Sequence, residues 1–316
     1  MHNTLTAQSL LLQRPRQLAW APDQLPDLDP RDLLLRTRAG AISLGTELPL
    51  YLGQARRAQP PSYPIMTGYE TIADVVACGA AVQTVTVGDR VVAFYGHRTA
   101  AVVPESRVVP IPPAIPDNLA VLLILACDTA KGISKVPLHL QSRIAITGSG
   151  PIGLLTLFNL HAHGLRDIVV IDPVAHRRGV AQAFGARATG DTENPGIDTN
   201  SCQAGFECSS RAAAFGLLQD LVQPGGHLCI LADGNLEPLT LTPAFHTKEL
   251  TVVGSSDGLD YRAYAAWFWD LVRTERYPLA SVFEQTVEAP ALPEVFAHLA
   301  AADPCPLKVF VQYAHG

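Results

Sequence analysis

The stretch from Arg143 to Pro173 constrains the fold more than any other, because it joins two apolar runs through a glycine turn and a leucine-rich segment. Ile144 to Thr147 has the length and composition of a buried strand. Gly148, Gly150 and Gly153 follow in the spacing G-x-G-x-x-G, with Pro151 and Ile152 opening the next segment. Leu154, Leu155, Leu157, Phe158 and Leu160 then recur at helical spacing, and Ile168 to Ile171 makes a second strand closed by Asp172. In such a unit the first glycine permits a tight turn, the second lets the backbone approach a pyrophosphate, and the third lets the helix pack close to the strand. The phosphates lie at a helix N-terminus, whose free N–H groups and dipole favour negative charge.

An isolated glycine pattern is a common turn. Here the strand before it, the helix and second strand after it, and a carboxylate 19 residues beyond Gly153 supply the context of a dinucleotide site. Asp172 can accept hydrogen bonds from an adenosine ribose and would repel a 2′-phosphate, which favours NAD. The same carboxylate would also serve as a strand-end or helix-capping group. Arg177 and Arg178 lie close enough to keep NADP open.

A chain of 316 residues is long for one core and predicts two domains. Its net charge of -6, with no Lys/Arg cluster, offers no field for nucleic acid. The longest uninterrupted apolar run, Leu119 to Cys127, is too short to span a bilayer. The first residues lack a basic segment followed by a long apolar one, so a cytoplasmic protein is expected. Six scattered cysteines with no C-x-x-C pair argue against a disulfide framework and a four-cysteine zinc site.

Residues 1 to 126 read as short strands broken by Pro and Gly, among them 32–43, 66–79, 88–96 and 99–112, which predicts an antiparallel barrel-like domain. Residues 127 to 257 alternate apolar strands with helices, which predicts a parallel, doubly wound sheet. The tail from 258 to 316 does not keep that rhythm and is expected to return to the first domain. Its Trp267, Phe268 and Trp269 cluster is too apolar for an exposed helix and suits core or dimer packing better than substrate stacking.

The order of the segments Gly45-Thr46-Glu47, Gly68-Tyr69-Glu70, Val87 to Val92, the strand-turn Val102 to Pro112 and Gly148 to Gly153 resembles the medium-chain dehydrogenase/reductase superfamily over nearly the whole chain. The resemblance implies an α/β protein: a GroES-like β-barrel substrate domain, a Rossmann cofactor domain, and substrate meeting nicotinamide between them. It also implies a homodimer formed through the cofactor-domain sheet near Leu250. Zinc-dependent members place a cysteine, a histidine and a third ligand where this chain has Leu44, Tyr69 and, if Thr129 is the threonine opening the next helix, Leu125. Leucine has no lone pair for zinc, so no catalytic metal is expected. The cysteine-rich lobe of many relatives is also missing between His97 and Ser106. Cys127 lies two residues off the ligand register and reads as core. Among zinc-free branches, the run Gly45 to Glu70 resembles bacteriochlorophyllide-type dehydrogenases, which oxidise a hydroxyethyl group.

Without a metal, hydrogen-bond donors must meet the developing negative oxygen of the substrate. By resemblance, Thr46 relays the substrate hydroxyl proton; it also suits a turn beside Gly45. Tyr69 is either a proton donor or an aromatic filling the space of a ligand. Glu70 either steadies Tyr69 or an arginine or forms a structural ion pair, Glu47 orients neighbouring groups, and His97 is a general acid or a loop histidine. Asp128 and Lys131 are placed at the start of the helix entering the cofactor domain, with Lys131 near the ribose or in solvent. Asp233 and Ser255 end strands of the parallel sheet, where ligands bind, and either equally suits a turn. Three functions remain: a zinc-independent oxidoreductase moving hydride between NAD(H) and a secondary alcohol or ketone, a reductase of an activated C=C bond, and a non-catalytic dinucleotide-binding protein.

Overall fold

The structure, a computed structural model, describes residues 7–56, 61–232, 237–274 and 276–314. In chain order the elements are β1 (Ala7–Arg14), β2 (Gln17–Asp23), β3 (Asp32–Ile42), α1 (Leu44–Tyr51), β4 (Ile65–Met66), β5 (Glu70–Cys78), β6 (Arg90–Ala93), β7 (Ala100–Pro104), β8 (Val108–Pro110) and α2 (Asp117–Ala120). There follow α3 (Leu123–Ser134), β9 (Ile144–Thr147), α4 (Pro151–Ala162), β10 (Ile168–Ile171), α5 (Ala175–Ala183), β11 (Ala188–Gly190), β12 (Cys202–Glu207), α6 (Ala212–Leu221) and β13 (Val222–Ile230). The last are α7 (Pro243–Thr247), β14 (Thr251–Gly254), α8 (Tyr261–Arg273), β15 (Phe283–Glu288), α9 (Leu292–Leu299) and β16 (Lys308–Gln312).

The chain forms two compact units, one of residues 1–123 and 283–316 and the other of 124–282. In the first, the sheet order β15-β16-β3-β5-β6-β8 is joined by β7 on β3, and a second sheet runs β2-β1-β4. The pairing is antiparallel except between β15 and β16, which run parallel. This is a GroES-like unit. Its apolar interior splits into a cluster around Leu10, Ile42, Phe296 and Val309 and another around Leu33, Val75, Val91 and Val108.

The second unit is a six-stranded parallel sheet ordered β11-β10-β9-β12-β13-β14. Every residue of β9 and β10 is buried, as expected of strands covered on both faces. Helix α4 is apolar around its circumference and is buried from Gly153 to His161. This is the Rossmann order, and the strand sequence reverses between β9 and β12.

Two expectations about boundaries change. The return to the first unit begins at Phe283, not at 258, and the earlier boundary falls at 123/124 rather than 126/127. Helix α8 stays with the Rossmann unit because its inner face, Ala265, Phe268, Trp269 and Val272, is buried there, with Phe268 edge-on to Phe158 of α4 at 5.9 Å. Trp267 stacks on His163 at 5.1 Å. Thr129 does not open a helix. Because Leu123 to Cys127 already form a buried helical turn, Thr129, Asp128 and Lys131 all lie inside α3.

All six cysteines are free, and burial pushes the thiols of Cys127, Cys202 and Cys229 up to about 11. A thiol reagent needs the thiolate and access to it. Native protein near pH 8 is therefore expected to yield at most Cys78, Cys208 and Cys305, the three half-buried ones, to Ellman's reagent within minutes, with Cys208 the slowest because burial and the Glu207 charge push its thiol well up. All six should react in guanidinium; a fourth fast thiol in the native state would contradict the packing.

Candidate functional site

The glycine turn follows β9, at the point where the strand order reverses. Gly148 has φ +86, and a Cβ there would meet the Cys208 carbonyl oxygen at 2.9 Å; its amide donates to the Ile171 carbonyl at 2.8 Å. A Cβ on Gly153 would lie 1.8 Å from the Gly148 carbonyl oxygen, so α4 rests directly on the turn. Around Gly150 a Cβ would meet nothing within 4 Å. Gly150 caps α4 without any side chain, and Pro151 and Ile152 form its first turn. The three glycines thus divide their work: one sets the turn, one lets the helix close in, and one leaves an open approach to the helix N-terminus, where a phosphate group fits.

Asp172 is buried, and both its oxygens are engaged. Oδ2 accepts from the Ser149 amide at 2.8 Å and Oδ1 from the Val174 amide at 2.9 Å. It therefore fastens the glycine turn to the loop entering α5. An ionised carboxylate has about four acceptor positions, so two hydrogen bonds leave room for ribose hydroxyls. Arg177 is half-buried on α5, while Arg178 donates to the carbonyls of Asp172 and Pro173 at 2.8 and 3.0 Å. Ser255 follows β14; its amide donates to the Ile230 carbonyl at 3.0 Å and its buried hydroxyl has no partner among the described residues. Asp233 lies outside the described residues. Lys131 is half-buried, and its Nζ donates to the Ser256 carbonyl at 2.6 Å. Asp128 accepts from the Tyr261 hydroxyl at 2.7 Å.

Sequence reasoning missed Glu207 at the end of β12. Its carboxylate accepts from the amides of Ser209 and Ser210 at 2.7 and 3.0 Å, which shapes the backbone facing Gly148. Burial pushes this carboxyl up, against the pull of those amides.

In the GroES-like unit the predicted residues gather at the junctions of β3 with α1 and of β4 with β5. Tyr69 is half-buried, and its hydroxyl is 2.7 Å from Ser43 Oγ. Glu70 begins β5 and its Oε1 is 2.7 Å from Lys308 Nζ on β16, with both side chains essentially inaccessible. Glu70 thus forms a buried ion pair, with a lysine and not an arginine. His97 is buried, and its Nε2 lies 2.9 Å from Glu47 Oε2. Glu47 Oε1 accepts from the Ser43 amide at 2.7 Å. Thr46 sits half-buried on the first turn of α1, and its hydroxyl has no protein partner among the described residues.

Of the positions that the resemblance matched to zinc ligands, Leu44 opens α1 and Tyr69 is hydrogen-bonded to Ser43; Leu125 is buried in α3, and its match lapses because Thr129 does not open that helix. Among the described residues no three His, Cys, Asp or Glu side chains converge as a metal site. No helix among them is long and apolar enough to cross a membrane.

Comparison with known proteins agrees with both units. Residues 29–113 match the family model of the alcohol dehydrogenase GroES-like domain, and residues 151–272 match that of zinc-binding dehydrogenases. The chain is 25% identical to an L-threonine 3-dehydrogenase of Chelativorans over 71% of this chain and 76% of that protein. The crystal structure of 2R,3R-butanediol dehydrogenase from Bacillus subtilis superposes with a TM-score of 0.80 at 18% identity, covering 97% of this chain and 99% of that one. A short chain alcohol dehydrogenase from Escherichia coli CFT073, complexed with NADH, gives 0.81 at 17% identity, covering 98% and 100%. With a GroES-like unit, a Rossmann unit and matches to the models of both, the chain belongs to the medium-chain dehydrogenase/reductase superfamily.

Proposed function

We propose that this protein is a zinc-independent, NAD(H)-dependent oxidoreductase that moves a hydride between nicotinamide and the carbinol or carbonyl carbon of a secondary alcohol or ketone. The observation that carries this reading is Tyr69: where a zinc ligand would stand there is a half-buried phenol, hydrogen-bonded at 2.7 Å to another hydroxyl. Leu44 adds no lone pair, so the residues at these two matched positions do not fit zinc.

The dinucleotide supplies the hydride acceptor or donor. Its phosphates suit the open approach at Gly150 and the first turn of α4, and its adenosine ribose suits the spare acceptor positions of Asp172. The Asp172 charge favours NAD, while Arg177 leaves NADP within reach. Tyr69 donates a hydrogen bond to the substrate oxygen, and the partner-free hydroxyl of Thr46 supplies a second. Glu70 and His97 take no proton from substrate in this reading. Their buried partners, Lys308 and Glu47, hold them as supports for the segment carrying Tyr69. The likeness of the run Gly45 to Glu70 to bacteriochlorophyllide-type dehydrogenases points to a hydroxyethyl group on a flat ring system as the secondary alcohol.

The test combines metal analysis of purified protein with the oxidation of NADH on a panel of acetophenone, butanone, an acetyl-bearing chlorin and a cyclic enone. Turnover of a ketone without bound zinc, and a kcat lowered about 10²- to 10⁴-fold by Tyr69→Phe, are expected. Stoichiometric zinc whose removal by chelator stops turnover would overturn the reading. Turnover of the enone alone would move it to the C=C reductases.

A further inference from the structure

The hydroxyl facing Tyr69 belongs to a residue whose other polar groups are all committed to holding it in place. Ser43 follows β3 and stands at the N-cap of α1, and it is buried. Its carbonyl accepts from the amides of Thr46 and Glu47 at 3.0 and 2.7 Å, and its amide donates to Glu47 Oε1 at 2.7 Å. The other Glu47 oxygen holds His97 Nε2 at 2.9 Å. The His97 ring in turn lies against Gly68, where a Cβ would come within 2.8 Å of Cδ2 and Nε2, and its amide donates to the Thr67 carbonyl at 2.8 Å. One buried Glu-His pair therefore fixes the backbone on both sides of the contact: Ser43 directly, and Thr67-Gly68 immediately before Tyr69. Between the two fixed segments stands the 2.7 Å hydrogen bond from hydroxyl to hydroxyl.

We propose that Ser43 is the proton-relay partner of Tyr69, a role that rests on the reading of Tyr69 as the donor to the substrate oxygen. In the reducing direction hydride from the reduced nicotinamide bonds to the carbonyl carbon and the C=O π pair collects on oxygen. That oxygen takes the proton of Tyr69 Oη, Tyr69 Oη takes the proton of Ser43 Oγ, and Ser43 Oγ takes one from water. One hydride and one solvent proton turn the ketone into the alcohol, and oxidation reverses the order. Linked hydroxyls polarise one another, so each becomes a better donor than it is alone. Glu47 and His97 are positioning residues in this arrangement.

The experiment uses full-length protein with NADH and the ketone from the panel above that is turned over fastest. It compares wild type, Ser43→Ala, Ser43→Thr, Tyr69→Phe and the double variant Ser43→Ala/Tyr69→Phe. Ser43→Ala is expected to lower kcat by about ten- to a hundredfold, with KM and NADH affinity within about threefold. Ser43→Thr, which keeps the hydroxyl, should recover all but about fivefold. The double variant should be no slower than Tyr69→Phe, because the two hydroxyls act as one unit. In mixtures of light and heavy water, the rate of wild type should fall along a bowed line that reports two protons in flight. Ser43→Ala should give a straight line. The proposal is overturned if Ser43→Ala keeps kcat within about twofold, if the Ser43 and Tyr69 losses multiply, or if Ser43→Thr binds NADH normally yet is as slow as Ser43→Ala. Failure of the parent reading looks different: Tyr69→Phe then retains full activity, or no ketone is turned over, and both ideas fall together.

Discussion

Gly153→Ala should collapse nucleotide binding together with the Rossmann unit, whereas Gly150→Ala should spare the fold and lose only the nucleotide. The new methyl at Gly153 would stand 1.8 Å from the Gly148 carbonyl oxygen and 2.9 Å from its carbon. Neither atom belongs to a side chain that can swing aside. Gly148 is held at φ +86 by its own hydrogen bond to Ile171, so relief requires lifting α4 off β9. Overpacking in a close-packed interior costs about 1–3 kcal/mol when side chains can adjust, and a backbone collision belongs at or above the top of that range. A fall in Tm of about 10 °C is expected. At Gly150 the methyl meets nothing, and the backbone is extended, with φ -68 and ψ -176, which alanine accepts. Its Tm should stay within about 2 °C of wild type. NADH affinity should nonetheless drop about tenfold or more, because the methyl occupies the approach to the helix N-terminus. Fluorescence titration with NADH checks this pair; a Gly150→Ala protein that binds as tightly as wild type would remove the phosphates from that turn.

The second large effect is expected at Lys308→Met. Lys308 and Glu70 are each about 1% exposed and meet at 2.7 Å, with Nζ also 3.5 Å from the Ile42 carbonyl. Burial pushes the Glu70 carboxyl above its ordinary value of 4.5. Lys308 is the largest influence pulling it back, His97 helps, and Glu47 opposes. Removing one partner of a buried pair leaves an uncompensated charge and costs about 3–5 kcal/mol. The loss should depend on pH with a definite sign. With its lysine gone the carboxyl rises further, so the folded state binds a proton that the unfolded state has released. The unfolded chain then holds fewer protons than the folded one, and stability falls as pH climbs from 4.5 through the raised value. Urea melts should show the variant closest to wild type in mild acid and furthest from it above neutrality. A variant within about 1 kcal/mol of wild type near pH 8 would mean that the pair contributes little. Glu70→Leu combined with Lys308→Met should recover much of the loss, because an apolar pair leaves no buried charge.

How much of this could be read from the residues follows from how far each relation reaches along the chain. The Rossmann unit was legible because its instruction is local. Strand, turn, helix and second strand occupy Ile144 to Asp172, and full burial makes β9 and β10 continuous apolar runs. The order of the motifs carried the GroES-like unit. The tail does not show its division in sequence, because α8 has an apolar face that any partner could cover, and the packing of Phe268 on Phe158 assigns it to the Rossmann unit. Cluster partners were the least legible part. Ser43 meets Tyr69 across 26 positions, Glu47 meets His97 across 50, and Glu70 meets Lys308 across 238. No periodicity spans such intervals. One signal was present for Lys308, a lysine inside the otherwise apolar run from Leu307 to Val311; nothing comparable marked Ser43.

The parallel pairing of β16 with β15, and its antiparallel pairing with β3, set an order of events during synthesis. Strand β3 leaves the ribosome early with an open flank, and the strand that closes it follows the complete nucleotide-binding unit. At ordinary translation rates that interval is on the order of ten seconds or more. Throughout it Glu70 is without its cation, and the nascent barrel must be kept from foreign strands until β16 arrives.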